Sequence, residues 1–182
     1  MIDISEKLTA QDLEPLVDTV FKVAQAKVRS LDRSWNPNDG APVFTVDGVY
    51  QSRGWTEWTQ GFQFGSQLLV FDGTDDETFL KTGRKNTINH MASHVTHIGV
   101  HDHGFNNVST YGNMHRLIRE GRIEESPDAL RFYEMALKAS GAVQASRWSK
   151  IHDGTGFIHS FNGPHSLFSD TIRSCRSLTL AH

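Results

Sequence analysis

The sequence has little with which to build several kinds of protein. Its 182 residues hold one cysteine, Cys175, which excludes an internal disulfide framework. Its longest apolar runs, such as Gln67-Leu68-Leu69-Val70-Phe71, are far too short to cross a bilayer. Met1-Ile2-Asp3-Ile4-Ser5-Glu6-Lys7 lacks the basic start and apolar stretch of a signal peptide. The net charge is −3 and no lysine or arginine stripe stands out. Neither nucleic acid nor a membrane is therefore an expected partner. Together these absences predict a cytoplasmic protein. Gly154-Thr155-Gly156 lacks the following glycine and helix start of a dinucleotide fingerprint, and no phosphate loop occurs. No Gly-x-Ser-x-Gly elbow marks a serine nucleophile.

What is present reads as one globular helical domain over 1–182. Hydrophobic residues make up 37% and charged residues 21%, an ordinary composition with enough apolar material for a core. Leu13, Leu16, Val17, Val20, Val23, Ala24 and Leu31 recur at helical spacing, predicting an amphipathic helix over about 12–32. Pro15 is tolerable there because it lies in the first turn. A loop with Pro37, Gly40, Pro42, Asp47-Gly48 and Gly54 follows, with Val43–Val46 as a possible short strand. A second helix fits 58–71 and stops at Asp72-Gly73. Thr74-Asp75-Asp76-Glu77 reads as a capping box. It opens a third helix with Leu80, Ile88, Met91, Val95 and Ile98 on one face. A fourth helix fits 106–119. Ser126-Pro127-Asp128 opens a fifth, to about 145. A loop over 147–165 precedes a sixth helix, which begins near Ser166 and carries Ile172, Cys175 and Leu178.

The connections before helices two, four and six are long and carry glycines, aromatics and histidines. Those after helices two and four are short. Three helical hairpins stacked side by side would put the long loops at one end. Trp58-Thr59-Gln60-Gly61-Phe62 faintly echoes Asp102-His103-Gly104-Phe105 at two such helix entrances. An arc of three hairpins leaves an open apolar edge, which predicts a homodimer or a missing C-terminal half covering it.

The candidate chemistry lies in those loops. Asp102 sits between His101 and His103, and Asp170 opens the sixth helix. Either could simply cap its helix or favour the dipole of the first turn. Together they would converge on one cleft as a carboxylate pair, the equipment of glycoside chemistry. Trp55, Trp58 and Trp148 share the same loops, and aromatic faces stack on sugar rings. The chain has ten histidines. His90, His94 and His97 share one helical face, as zinc ligands can. No carboxylate follows His90 as in zinc proteases and Cys175 has no partner, so no metal or other cofactor is expected. His90 and His94 are expected on the helix surface, and His101 and His103 are expected to donate hydrogen bonds in a polar site. Cys175, on an apolar helical face, reads as a buried, inert thiol.

These pieces resemble the unsaturated glucuronyl hydrolases, glycoside hydrolase family 88, and their relatives acting on unsaturated rhamnogalacturonan. The matching elements are Trp58–Phe62, then His101-Asp102-His103-Gly104-Phe105, then Arg147-Trp148, then Asp170 in Ser169–Ile172, in order over about 50–178. The resemblance implies an all-α fold, half of an (α/α)6 barrel. It implies a glycosidase of polysaccharide degradation, which releases a 4,5-unsaturated uronic acid from lyase-made oligosaccharides by hydrating the vinyl ether. Asp170 would protonate C4 and activate the water that adds at C5, with Asp102 assisting. Trp58, His101 and Trp148 would line the sugar subsite. Gln63 stands where the family usually carries tryptophan, and Arg173 offers partial anion binding. Two other readings stay open: a helical fragment that only binds carbohydrate, and a related helical-barrel epimerase using histidines as bases.

Overall fold

A computed structural model describes residues 8–54 and 57–182. It is all-α apart from two short hairpins. Helix α1 (Ala10–Ser34) starts at a capping box, with Thr9 and Asp12 each satisfying a backbone N–H of the other. None of its residues is buried. Ala24 and Val28 lie against the core, while Leu16, Val17 and Val20 on the same stripe stay exposed. The possible strand at 43–46 is half of a hairpin, β1 (Pro42–Val46) with β2 (Val49–Ser52). Asp47 and Gly48 turn it with positive φ.

Helix α2 (Thr59–Thr74) runs past the expected stop, because Thr74 Oγ1 donates to the Val70 carbonyl at 2.6 Å. The cap of α3 (Glu77–His90) is therefore Asp76, which accepts from the Thr78 amide at 3.0 Å, and not Thr74. The third helix also ends sooner than its apolar spacing predicts. It closes at His90 and restarts as α4 (Ala92–Val95), so Ile98 falls in a turn and is 71% exposed. The fourth helix opens at Gly104 as a π-helix (Gly104–Gly112) before α5 (Asn113–Arg119). Helix α6 (Pro127–Ser146) begins where expected, with Ser126 Oγ accepting from the Ala129 amide. The loop that follows contains a second hairpin, β3 (Trp148–Lys150) with β4 (Gly156–Ile158). Helix α7 (Thr171–Ala181) starts five residues later than expected.

Helix α2 packs on α3 and on the π-helix; α7 packs on the π-helix and on α6. The contact points are glycines. A Cβ on Gly61 would lie 2.3 Å from the Asn106 Cα and the Phe105 carbonyl oxygen. One on Gly104 would lie 2.4 Å from the Arg173 carbonyl oxygen and 2.6 Å from the Ser174 Cα. These approaches bring the entrances of α2, the π-helix and α7 together. The Gly61 amide donates to Asn106 Oδ1 at 3.0 Å, and the Gly104 amide to Ser174 Oγ at 3.2 Å.

The interior has two halves. An apolar cluster includes Phe64, Leu68, Met91, Tyr111, Met114, Leu117 and Leu137. Nearer the helix entrances the buried residues are polar, among them Gln60, His94, His103, Asn106, Asn107, Ser140 and Ser174. Helix α7 belongs to that polar half. It buries Thr171, Ser174 and Ser177 and leaves Ile172 77% exposed, the reverse of what its apolar spacing predicts. Small residues win there because only they allow the backbones to approach so closely.

Gly104→Ala tests this packing. Alanine favours a helix over glycine by about 1 kcal/mol, but the Cβ would strike backbone atoms that cannot move independently. A net loss of about 1–3 kcal/mol is expected from urea unfolding. Gly54→Ala, with nothing within 4 Å, should be neutral. A Gly104→Ala protein as stable as the parent would contradict the close contact.

Candidate active site

Asp102 and Asp170 stand at two helix entrances, and neither caps its helix. The π-helix has no side-chain cap, and Asp170 occupies the cap position of α7 without a side-chain bond to its first turn. Both carboxylates instead approach one imidazole. His101 Nε2 lies 3.1 Å from Asp170 Oδ1 and 3.8 Å from Asp102 Oδ1. With Asp170 Oδ1 as the acceptor, Nε2 carries the proton and donates to it, and Oδ2 takes no part in that contact. His101 is itself buried, stacked on Phe161 (centroids 5.9 Å, planes 15° apart) and met edge-on by Phe168 at 5.8 Å. Its ring is thus fixed, with Nδ1 unbonded among the described residues.

The two aspartates differ in environment. Asp102 is 8% exposed, whereas the Asp170 side chain is 51% exposed. Burial pushes the Asp102 carboxyl above the ordinary 3.8; His101 and Arg147 oppose that, and Asp170 and Glu57 reinforce it.

Arg147 holds the surrounding loops. Its guanidinium donates to the carbonyls of His159 at 3.0 Å, Ser160 at 2.7 Å, and Ile98. That ties the segment before His101 to the loop after β4. Arg147 is buried, and burial lowers its pKa while Asp102 raises it.

His103 does not face the same cleft. Its Nε2 donates to the His97 carbonyl at 3.0 Å, and its Nδ1 meets Ser140 Oγ at 2.8 Å. Asn107 Nδ2 donates to that same Oγ at 3.0 Å and to the His94 carbonyl at 3.1 Å. His94 is not on the helix surface as expected; it is 2% exposed and bonds Gln60 Oε1 at 2.7 Å. Burial is the main cause that pushes both His94 and His103 down to about 4, so both are neutral struts at pH 7. His90 lies against the Phe64 ring. Among the described residues no three histidine, cysteine or acidic side chains are grouped to hold a metal ion.

The other candidates spread outward. Trp58, 45% exposed, meets Phe62 and Phe105 edge-on at 5.6 and 6.0 Å. Arg173 lies over Phe62 and Phe105 and donates to Ser109 Oγ at 3.2 Å. Gln63 is 5% exposed within α2, so it presents almost no surface from which to contact a sugar. Trp148, 49% exposed, lines an apolar cavity of about 370 Å³ whose wall also includes Phe168, Ile172 and Cys175. Trp55 lies outside the described residues. Phe161 and Phe168 escaped the sequence reading because single loop aromatics leave no periodic signal. Comparison with models of protein families, with curated proteins and with solved structures found no match.

Two pH effects of opposite sign follow. A carboxyl whose folded pKa is raised costs stability when ionised, a cost absent below 3.8 that grows as pH rises through the folded value. Asp102→Asn should therefore raise the melting temperature at pH 7 and lose that gain near pH 3. A lower melting temperature at pH 7 would contradict the burial argument. A histidine held down to about 4 stabilises above its ordinary 6.5, and the contribution is lost as pH falls between the two. The urea midpoint should fall from pH 7 to pH 4, and fall less in His94→Gln. An equal fall in both would assign the acid sensitivity elsewhere.

Proposed function

We propose that this chain is a glycosidase acting on lyase-generated oligosaccharides, releasing a terminal 4,5-unsaturated uronic acid by hydrating its vinyl ether. The observation that carries the reading is the convergence of Asp102 and Asp170 on His101 when neither aspartate caps its helix. In this reading Asp170, the accessible member, gives its proton to C4. Positive charge then develops at C5 and is shared with the ring oxygen. The carboxylate left on Asp170 takes a proton from the water that adds at C5, restoring the acid. The hydrated sugar is a hemiketal, which opens and expels the leaving sugar.

Asp102 serves as the buried partner. Burial and the neighbouring Asp170 charge both raise its proton affinity. His101 orients Asp170 through its Nε2–H. Trp58 supplies an exposed aromatic face of the kind that stacks on sugar rings. The fold reading that accompanies this one is half of an (α/α)6 barrel. Its support is the row of α2, π-helix and α7, with α3 packed behind α2 and α6 behind α7.

The test is incubation with an unsaturated uronyl disaccharide while following the ultraviolet absorbance of its conjugated double bond. Absorbance should fall, and Asp170→Asn should slow it by about 10²–10⁴-fold, the usual contribution of a positioned acid–base group. No loss of absorbance at high protein concentration would leave carbohydrate binding without catalysis. Loss at full rate in Asp170→Asn would remove Asp170 from the acid role.

A further inference from the structure

Helices α2 and α7 and the π-helix with α5 enclose a second cavity, of about 540 Å³. Arg116, Arg119, Arg173 and Arg176 all line it, and Glu120 is its one lining carboxylate. This is a concentration of positive charge in a chain whose net charge is −3. Arg116 is committed, to Asp72 Oδ2 at 2.6 Å and to Glu120 Oε2 at 2.7 Å. The other three have no carboxylate within ion-pair distance among the described residues. His115, also on the wall, faces Glu134 Oε1 at 3.5 Å.

Three uncompensated guanidiniums around one cavity repel one another. Arg173 and Arg176 do so as neighbours three residues apart on α7, a like-charge spacing that disfavours the helix. Arg173 is also held in place. Its guanidinium lies 4.9 Å from the Phe62 centroid and 5.5 Å from that of Phe105, with one N–H on Ser109 Oγ. Cation–π contact and that hydrogen bond fix the group while leaving most of its donors unused. Leu69, Val108 and Leu180 give the wall an apolar part beside Ser66, Ser109 and Asn113. The π-helix that forms part of it is a rare conformation, frequent at functional sites.

We propose that this cavity binds an oligoanion, a ligand with two or more carboxylate or phosphate groups on a body with an apolar face. The planar forks of Arg173, Arg176 and Arg119 suit paired anionic oxygens, and Leu69 and Leu180 take the apolar face. Binding needs no turnover, so it stands apart from the hydrolase reading.

Calorimetric titration of the full chain at low salt with inorganic pyrophosphate, with trigalacturonate and with neutral maltotriose tests it. At least one anion should bind tenfold or more tightly than maltotriose and weaken as salt screens the guanidiniums. Pyrophosphate alone would assign a phosphate ligand, trigalacturonate alone an acidic saccharide, and both the shared chemistry. Arg119→Gln and Arg176→Gln should each weaken that anion about tenfold, as loss of a charge-assisted bond does. Arg131→Gln, whose residue does not line the cavity, should leave it unchanged. Both test positions are exposed, and melting curves check that the variants fold. Anions that bind no better than maltotriose, or variants that bind the anion as the parent does, would overturn the proposal.

Discussion

The meeting of the helix entrances around Asp102 and Asp170 depends on two places where a side chain would not fit. Gly61 admits the backbone at Asn106, and Gly104 admits the backbone at Ser174. Each contact draws the entrance of one helix against the next. Their consequences are chemical as well as mechanical. The phenylalanine after each glycine meets the other, Phe62 with Phe105 at 5.6 Å, and Arg173 from the third helix lies over both rings. Without those approaches Asp102 and Asp170, 68 residues apart in sequence, would have no reason to share a histidine.

The site combines groups that resist being together. Burial raises the proton affinity of Asp102 and outweighs the attraction of His101 and Arg147. Two carboxyls facing one imidazole compete for its single Nε2 proton, and the exposed one holds the shorter contact. The surrounding structure bears this arrangement because its supports are independent of it. Arg147 fixes the loops by three carbonyls, and Phe161 with Phe168 fixes the His101 ring. Asn107, Ser140, His94 and His103 form a neutral hydrogen-bonded layer behind. The two carboxyls thus sit on a hydrogen-bonded polar frame distinct from the apolar core.

Hydrophobic period was enough for the elements whose buried face is apolar. Helix α6 starts at its serine cap and proline as its sequence predicts and buries Tyr133, Ala136 and Leu137; α1 forms where its pattern puts it although none of its residues is buried. It failed where burial is polar. A histidine leaves no apolar mark in the sequence, so its spacing puts His94 on the surface, yet it is 2% exposed. The apolar spacing of Ile172, Cys175 and Leu178 pointed to the wrong face of α7, because the contact there is made by Thr171, Ser174 and Ser177. Asp102 and Asp170 could be singled out as residues that open helices after a turn. That both turn away from capping is a tertiary fact. The repeated Gly-Phe pair was visible as an echo, and its meaning, a backbone contact at each glycine, required three dimensions. Arg119, Arg173 and Arg176 show no stripe in sequence, since two helices supply them.

The most direct measurement is an NMR titration of the Asp102 carboxyl carbon, in the parent and in Asp170→Asn. A pair that acts as one site requires Asp102 to titrate above the ordinary 3.8 and to move back towards it when the neighbouring charge is removed, since both burial and Asp170 push it upward. An Asp102 that titrates in the ordinary range, or that is indifferent to Asp170→Asn, would mean that the two aspartates do not act as one site.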